Sequence, residues 1–235
     1  MSSPIRAALP GSEGKPTNPL PLTLPIVCLI TDRSLAPNGL VEAVAAAVRG
    51  GVTMVQLREK DLPTRELLDL AGRLREVVEP PAMLLVNGRA DVAYAAAADG
   101  VHLPSDGLPT GSARAALGAS TLIGRSVHNA GEARSAARDA LDYVELGTIF
   151  ASRSHLGGAT VGIAEIEAAR SCGRPILAVG GIDESNAAAV METGASGVAV
   201  ISAILAAPSP EDAAKRLAAA TLQAWAKRAI AARAV

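Results

Sequence analysis

The chain has 235 residues, of which 49% are hydrophobic and only 2% aromatic, and its formal charge is −1. That length suits one domain. The balanced charge carries no basic stripe, which argues against a nucleic-acid partner, and no apolar run is long enough to span a bilayer, which argues against a membrane partner.

Residues 1–22 are rich in Pro, Ser and Gly but lack the cationic start and apolar centre of a signal peptide. They are expected to form a mobile extension ahead of a folded domain over 23–235. A first apolar β run covers 26–32. Val41, Val44, Ala45 and Val48 then recur at helical spacing, and Gly50-Gly51 ends that helix. The second β run covers 54–60. Its helix carries Leu67, Leu70, Ala71, Leu74, Val77 and Val78 on one face and stops before Pro80-Pro81. Further β runs follow at 83–88, 100–103, 121–127, 143–149, 176–182 and 197–204, separated by helix-length segments. The last helix opens on Ser209-Pro210-Glu211-Asp212: an N-cap, a proline at the first position and acids in the positive first turn. Lys227, Arg228 and Arg233 near its end suit the negative pole of the helix. Eight β runs each followed by a helix predict an α/β protein of one closed (β/α)₈ TIM barrel, since a doubly wound sheet would need fewer strands and a reversal of their order. Cys28 and Cys172 match no disulfide or metal spacing and are expected to be reduced, buried thiols in a cytoplasmic protein.

In such barrels chemistry sits where the strands end, and polar residues gather there in this chain. Gln56, Arg58 and Lys60 alternate at the end of the second run, so all three share one face. That is costly in a strand buried on both sides unless a ligand or counter-ion meets them. Glu59 falls on the opposite face. Asn87 closes the third run, Ser105 follows the fourth, and Ser126 and His128 close the fifth. His128 is the candidate acid/base, because imidazole titrates near neutral pH. His102 lies deeper and reads as a hydrogen-bonded interior residue. Ser152, Ser154 and His155 occupy a Gly-containing loop over 151–161, a candidate lid. Gly180 and Gly181 after the seventh run, with Ile201 and Ser202 after the eighth, are assigned to a phosphate group bound largely by backbone N–H. Spacing offers no metal cage, and Asp106 is a lone acid.

With these residues in view, the chain resembles the superfamily of thiamine phosphate synthase and TenI-type thiazole tautomerase. The resemblance rests on Met54-Val55-Gln56-Leu57-Arg58-Glu59-Lys60, Asp99-Gly100-Val101-His102-Leu103, Ala178-Val179-Gly180-Gly181-Ile182 and 197–204, and it covers 26–206. It implies a barrel acting in thiamine biosynthesis on phosphorylated thiazole, often as a small homo-oligomer. Synthases of this kind usually carry two acids that hold a magnesium ion bridging the pyrimidine pyrophosphate. The matching positions here are Gly88 and Gly107, and the lysine expected after the sixth run is replaced within Ser152-Arg153-Ser154-His155. Asn87-Gly88-Arg89, Leu103-Pro104-Ser105 and 123–128 resemble tautomerases instead. The expectation is therefore an isomerase that aromatises carboxythiazole phosphate without a metal or other cofactor, with His128 moving the proton. The alternatives are a magnesium-dependent synthase, which the retained Gln56, Arg58 and Lys60 favour, and a non-catalytic binder of thiazole phosphate.

Overall fold

The computed structural model describes residues 22–152 and 159–233. Its strands are β1 (Ile26–Ile30), β2 (Met54–Leu57), β3 (Met83–Asn87), β4 (Gly100–Leu103), β5 (Leu122–Val127), β6 (Tyr143–Leu146), β7 (Ile176–Val179) and β8 (Gly197–Val200). All pair in parallel and in order, and β8 returns to β1, closing the barrel. The intervening helices are α1 (Leu40–Arg49), α2 (Thr64–Val77), α3 (Ala90–Ala95), α4 (Thr110–Leu117), α5 (Ala130–Ala136), α6 (Ala164–Ala169), α7 (Ala187–Glu192) and α8 (Ser202–Leu205). A long α9 (Pro210–Arg233) packs against α1 and α7. The expected (β/α)₈ architecture is what the chain adopts.

Period-two alternation sorts each strand into two cores. Ile26, Cys28, Ile30, Met54, Met83, Leu85, Leu122, Tyr143, Leu177 and Ala199 fill the barrel interior. The alternate residues, such as Val27, Leu29, Val55, Leu84 and Val144, form a second core beneath the helices. Both faces are buried, so the strands carry the near-continuous aliphatic runs of a parallel sheet. The interior has one large aromatic residue, Tyr143, and its room comes from Gly124: a Cβ there would lie 2.0 Å from the Tyr143 ring. Leu22 and Leu24 pack against the interior cluster. The remainder of the expected N-terminal extension lies outside the described residues.

Several strands are shorter than the apolar runs. β2 stops at Leu57, β6 at Leu146, β7 at Val179 and β8 at Val200. Past Leu57 the backbone turns to a side-chain partner, while beyond β6 and β7 the two chains stay joined, with Ile149 N–H donating to the Val179 carbonyl at 2.9 Å. The Arg58 N–H donates to Thr31 Oγ1 at 2.9 Å, and Phe150 N–H donates to the Gly180 carbonyl at 3.1 Å. The last residues of these runs thus build the mouth rather than the wall. The α9 N-cap is as expected, with Asp212 N–H donating to Ser209 Oγ at 3.2 Å. Arg228 donates to the carbonyls of Met191 and Ala195 and lies 4.6 Å from the centre of the Trp225 ring. Both cysteines are free, but only Cys28 is buried. Cys172 is half-exposed because it sits in a short 3₁₀ turn, where its sulfur accepts from Arg174 N–H at 3.4 Å.

Candidate active site

The inward faces of β2, β3, β5 and β6 start apolar or small at the base and turn polar towards the C-terminal end: Gln56 stands above Met54, Asn87 above Leu85, Ser126 above Gly124, and Glu145 above Tyr143, while β1 and β7 end on apolar Ile30 and Val179. These tops surround a cavity of about 270 Å³. It is lined by Gln56, Arg58, Lys60, Asn87, Ser105, Ser126, His128, Ser152, Gly180, Gly181, Ile201 and Ser202, together with Asp106, Glu145 and Thr148. Every candidate site residue within the described part of the chain therefore meets in one place. Ser154 and His155, and most of the candidate lid, lie outside the described residues.

The cationic side of the mouth follows from charge pairing. Glu59 and Asp61 are the acids nearest Arg58 and Lys60 in sequence, but Arg33 occupies both. Its Nη1 donates to Glu59 Oε2 at 3.0 Å and Nη2 to Asp61 Oδ2 at 2.5 Å, and its backbone N–H donates to Glu59 Oε1 at 3.1 Å. The Arg33 hydrogen bond holds the Asp61 carboxyl below the usual carboxylate range. Among the described residues, no acid forms a salt bridge with Arg58 or Lys60. Two cations facing one cavity without acidic partners make an anion site.

The opposite side is built from backbone. Gly180 and Gly181 have φ of 103° and 61°, conformations that a side chain would strain. A Cβ on Gly180 would come 2.5 Å from Thr148 Cγ2, and one on Gly181 would come 2.5 Å from the Ala151 carbonyl. The glycines are thus required by the loop after β6 as well as by the turn. Asn186 Nδ2 donates to the Gly181 carbonyl at 2.9 Å and fixes that turn. Ile201 and Ser202 stand beside it, where α8 begins.

Below the mouth lies a buried polar network. Gln56 Nε2 donates to Glu145 Oε2 at 3.0 Å. The His102 ring bonds Tyr143 Oη through Nδ1 at 3.0 Å and Ser126 Oγ through Nε2 at 2.8 Å, the interior role expected of it. Burial lowers the His102 pKa, with Arg125 and Arg58 adding to the effect against Glu145. The neutral ring suits a site with one hydrogen-bond partner on each nitrogen. Burial, with Glu145 nearby, pushes the Cys28 thiol well up. His128 has a different setting: its side chain is 57% exposed, and Nδ1 lies 3.0 Å from Glu132 Oε2. Burial raises the Glu132 pKa, but hydrogen bonds from the His128 N–H and ring outweigh it and keep that carboxyl low.

The sequence reading missed Glu145. The signal was there: Glu145 shares the inward parity of Tyr143, as Gln56 shares that of Met54, and a carboxylate amid apolar residues of a doubly buried strand carries the same warning of function.

The profile of the thiamine monophosphate synthase family matches residues 27–204. The chain belongs to that family. A thiamine-phosphate synthase of Roseiflexus castenholzii is 42% identical over 207 residues, covering 86% of this chain and 91% of the relative. One from Roseiflexus sp. is 39% identical and covers 94% of this chain and 95% of the relative. Among solved structures, a thiamine phosphate pyrophosphorylase from Pyrococcus furiosus superposes with a TM-score of 0.78 at 34% identity, covering 85% of this chain and 96% of that one.

These relatives correct the functional expectation. Relatives that match almost end to end are named as synthases, which are transferases, so the tautomerase and isomerase reading falls. It had weighed Gly88, Gly107 and the Gly-Arg-Ser-Val-His stretch too heavily. Loop residues at a rim vary within a family more readily than the positions that shape the barrel. No helix of the described residues is long and apolar enough to cross a membrane.

Proposed function

We propose that this chain is a thiamine-phosphate synthase, which joins hydroxymethylpyrimidine pyrophosphate to thiazole phosphate. The observation that carries this reading is one cavity with two separate places for anions. Arg58 and Lys60 stand after β2, and Gly180, Gly181, Ile201 and Ser202 stand after β7 and β8. A transfer between two substrates, each bearing phosphate, needs both. The synthase names of the full-length relatives support the same conclusion.

In this reading the bond between the pyrimidine methylene carbon and the pyrophosphate oxygen breaks, and the electron pair leaves with pyrophosphate. The thiazole nitrogen supplies the pair for the new carbon–nitrogen bond. Arg58 and Lys60 take up the charge on the leaving pyrophosphate, preorganised donors being most valuable where charge develops. Backbone N–H groups at Gly181, Ile201 and Ser202 hold the thiazole phosphate. Asn87, Ser105, Ser126 and Ser152 supply neutral polar contacts around the ring systems. His128 Nδ1 donates to the Glu132 carboxylate, which leaves Nε2 of the neutral ring as an acceptor at the rim; it has no proton-transfer step here, because this reaction abstracts no carbon-bound proton.

The family's synthase chemistry involves magnesium on the pyrophosphate. The residues here do not fit a carboxylate pair for that ion. Gly88 and Gly107 occupy the matching positions, Asp106 is a single carboxylate at the rim, and Glu145 lies deeper, bonded to Gln56. The described residues contain no group of three His, Cys, Asp or Glu side chains placed to hold a metal. Neutralisation by the protein falls to Arg58 and Lys60.

The test is to supply both phosphorylated substrates, with and without magnesium, and follow pyrophosphate release together with the coupled product. Both should appear in equal amounts. Absence of pyrophosphate with magnesium present would refute the reading.

A further inference from the structure

Glu145 is a buried carboxylate of this cavity that the proposed reaction leaves unused. It is 6% exposed, on the inward face of β6, and borders the cavity from below. Oε2 accepts one hydrogen bond, from the Gln56 amide. Oε1 lies 3.8 Å from His102 Nε2, too far for a hydrogen bond, and that nitrogen is already engaged with Ser126. Among the described residues no lysine or arginine forms a salt bridge with it. A carboxylate can accept about four hydrogen bonds, and burying one with a single neutral donor costs several kcal/mol. That cost persists only where something returns it, and the open side of Oε1 is the cavity itself.

The surroundings narrow what would fill the space. Ile30, Val179 and Ile201 provide apolar wall around the same cavity, which suits the faces of a flat ring. Arg58 and Lys60 stand higher on the mouth, which suits an anionic tail. We propose that Glu145 is a specificity-determining acceptor that receives an N–H from the edge of an amino-substituted nitrogen heterocycle whose phosphorylated arm reaches Arg58 and Lys60. This rests on the synthase reading for the site as a whole, and it assigns the pyrimidine, not the thiazole, to the floor of the barrel. It also gives Glu145 a part in the step. As the carbon–oxygen bond breaks, the ring gains positive charge, its amino N–H becomes a stronger donor, and a fixed carboxylate holds it more tightly than in the ground state.

The experiment compares a 4-amino-5-hydroxymethylpyrimidine with the counterpart bearing hydrogen in place of the amino group, by calorimetry on the full chain. Inorganic pyrophosphate is titrated separately as a control. Wild type should prefer the amino compound by about tenfold or more, the size of one hydrogen bond to a charged group. Glu145→Gln keeps the shape but can turn an amide N–H towards the ligand. It should bring the preference to about twofold or less, well under a single charged hydrogen bond, and leave pyrophosphate affinity unchanged. Where Glu145→Gln fails to fold or loses pyrophosphate binding, Glu145→Asp, which keeps the charge and shortens its reach, is read by the same ratio. A wild-type ratio near one, or an unchanged ratio in the folded variant, overturns the assignment. The two readings fail separately. Pyrophosphate release without amino-group discrimination leaves the synthase and removes the role of Glu145. Discrimination without any joined product does the reverse.

Discussion

Replacing Arg58 by alanine probes the proposed pyrophosphate site most directly. Its backbone N–H, which donates to Thr31 Oγ1, is kept in the variant, so the mouth loop should hold its course. What is lost is a half-buried guanidinium whose nearest acids in sequence are both taken by Arg33. Because no internal ion pair is broken, the change should cost little stability. Two charge-assisted hydrogen bonds to a phosphate are worth ~1.5–3 kcal/mol each, and partial exposure reduces this through solvent screening. About 2 kcal/mol is a fair expectation, or roughly thirtyfold in affinity. Inorganic pyrophosphate binding, measured by calorimetry at several salt concentrations, gives the readout. The variant should bind roughly thirtyfold more weakly, with a shallower salt dependence than wild type. Arg58→Lys should recover only part of the loss, since an ammonium cannot reproduce the planar two-pronged contact. Affinity within about twofold of wild type would mean that Arg58 carries well under 1 kcal/mol of binding, and the charge argument would fail.

Gly124→Ala forces a methyl group to 2.0 Å from the Tyr143 ring. Overpacking of this kind costs ~1–3 kcal/mol, so a melt should fall by roughly 2–10 °C; an unchanged Tm would contradict the packing. His102 has its pKa lowered in the folded chain by burial, so below about pH 6.5 the unfolded chain binds a proton that the folded network refuses. Stability is therefore fully present above about pH 6.5 and falls as pH drops below it, and urea midpoints at a series of pH values should show this slope flattened in His102→Gln. His128→Ala should change synthase turnover by less than about tenfold, below the 10²–10⁴ of a general acid–base residue; a larger loss in steady-state kinetics would restore a proton-transfer role.

The barrel was legible because its signals repeat. Eight aliphatic runs with helices between them leave few arrangements that bury both faces of every strand. The run lengths were not legible. The chain 58–60 continues the alternation of β2 in sequence, yet the Arg58 N–H goes to the Thr31 hydroxyl and the Glu59 carbonyl accepts from Leu62 N–H, outside the strand ladder. Such a change of partner depends on contacts with residues distant in sequence. The burial of Cys172 was misjudged for a related reason: a short 3₁₀ turn places it at the surface, and apolar content alone does not reveal that.

The site was legible by parity, and its chemistry by charge. Gln56, Arg58 and Lys60 shared a face in the sequence, and the structure adds why two of them carry an unspent charge: Arg33, from the loop after β1, removes both competing acids. That pairing spans more than two dozen residues and has no sequence spacing of its own. It also bears on the reaction. A rim that satisfied Arg58 with Glu59 would have had one anion site, at Gly180 and Gly181, and would have suited a single monophosphate. By binding Glu59 and Asp61 on the outer side, Arg33 leaves the cavity with a second anion site, and a second phosphorylated substrate becomes chemically reasonable. Arg33→Ala should therefore weaken pyrophosphate binding without touching the ligand, because Glu59 and Asp61 would then compete for Arg58 and Lys60. A several-fold loss by calorimetry, reversed when Glu59→Gln and Asp61→Asn are added, is the expected result. A loss that the added substitutions do not reverse would mean that Arg33 acts on the fold rather than on the charge of the mouth.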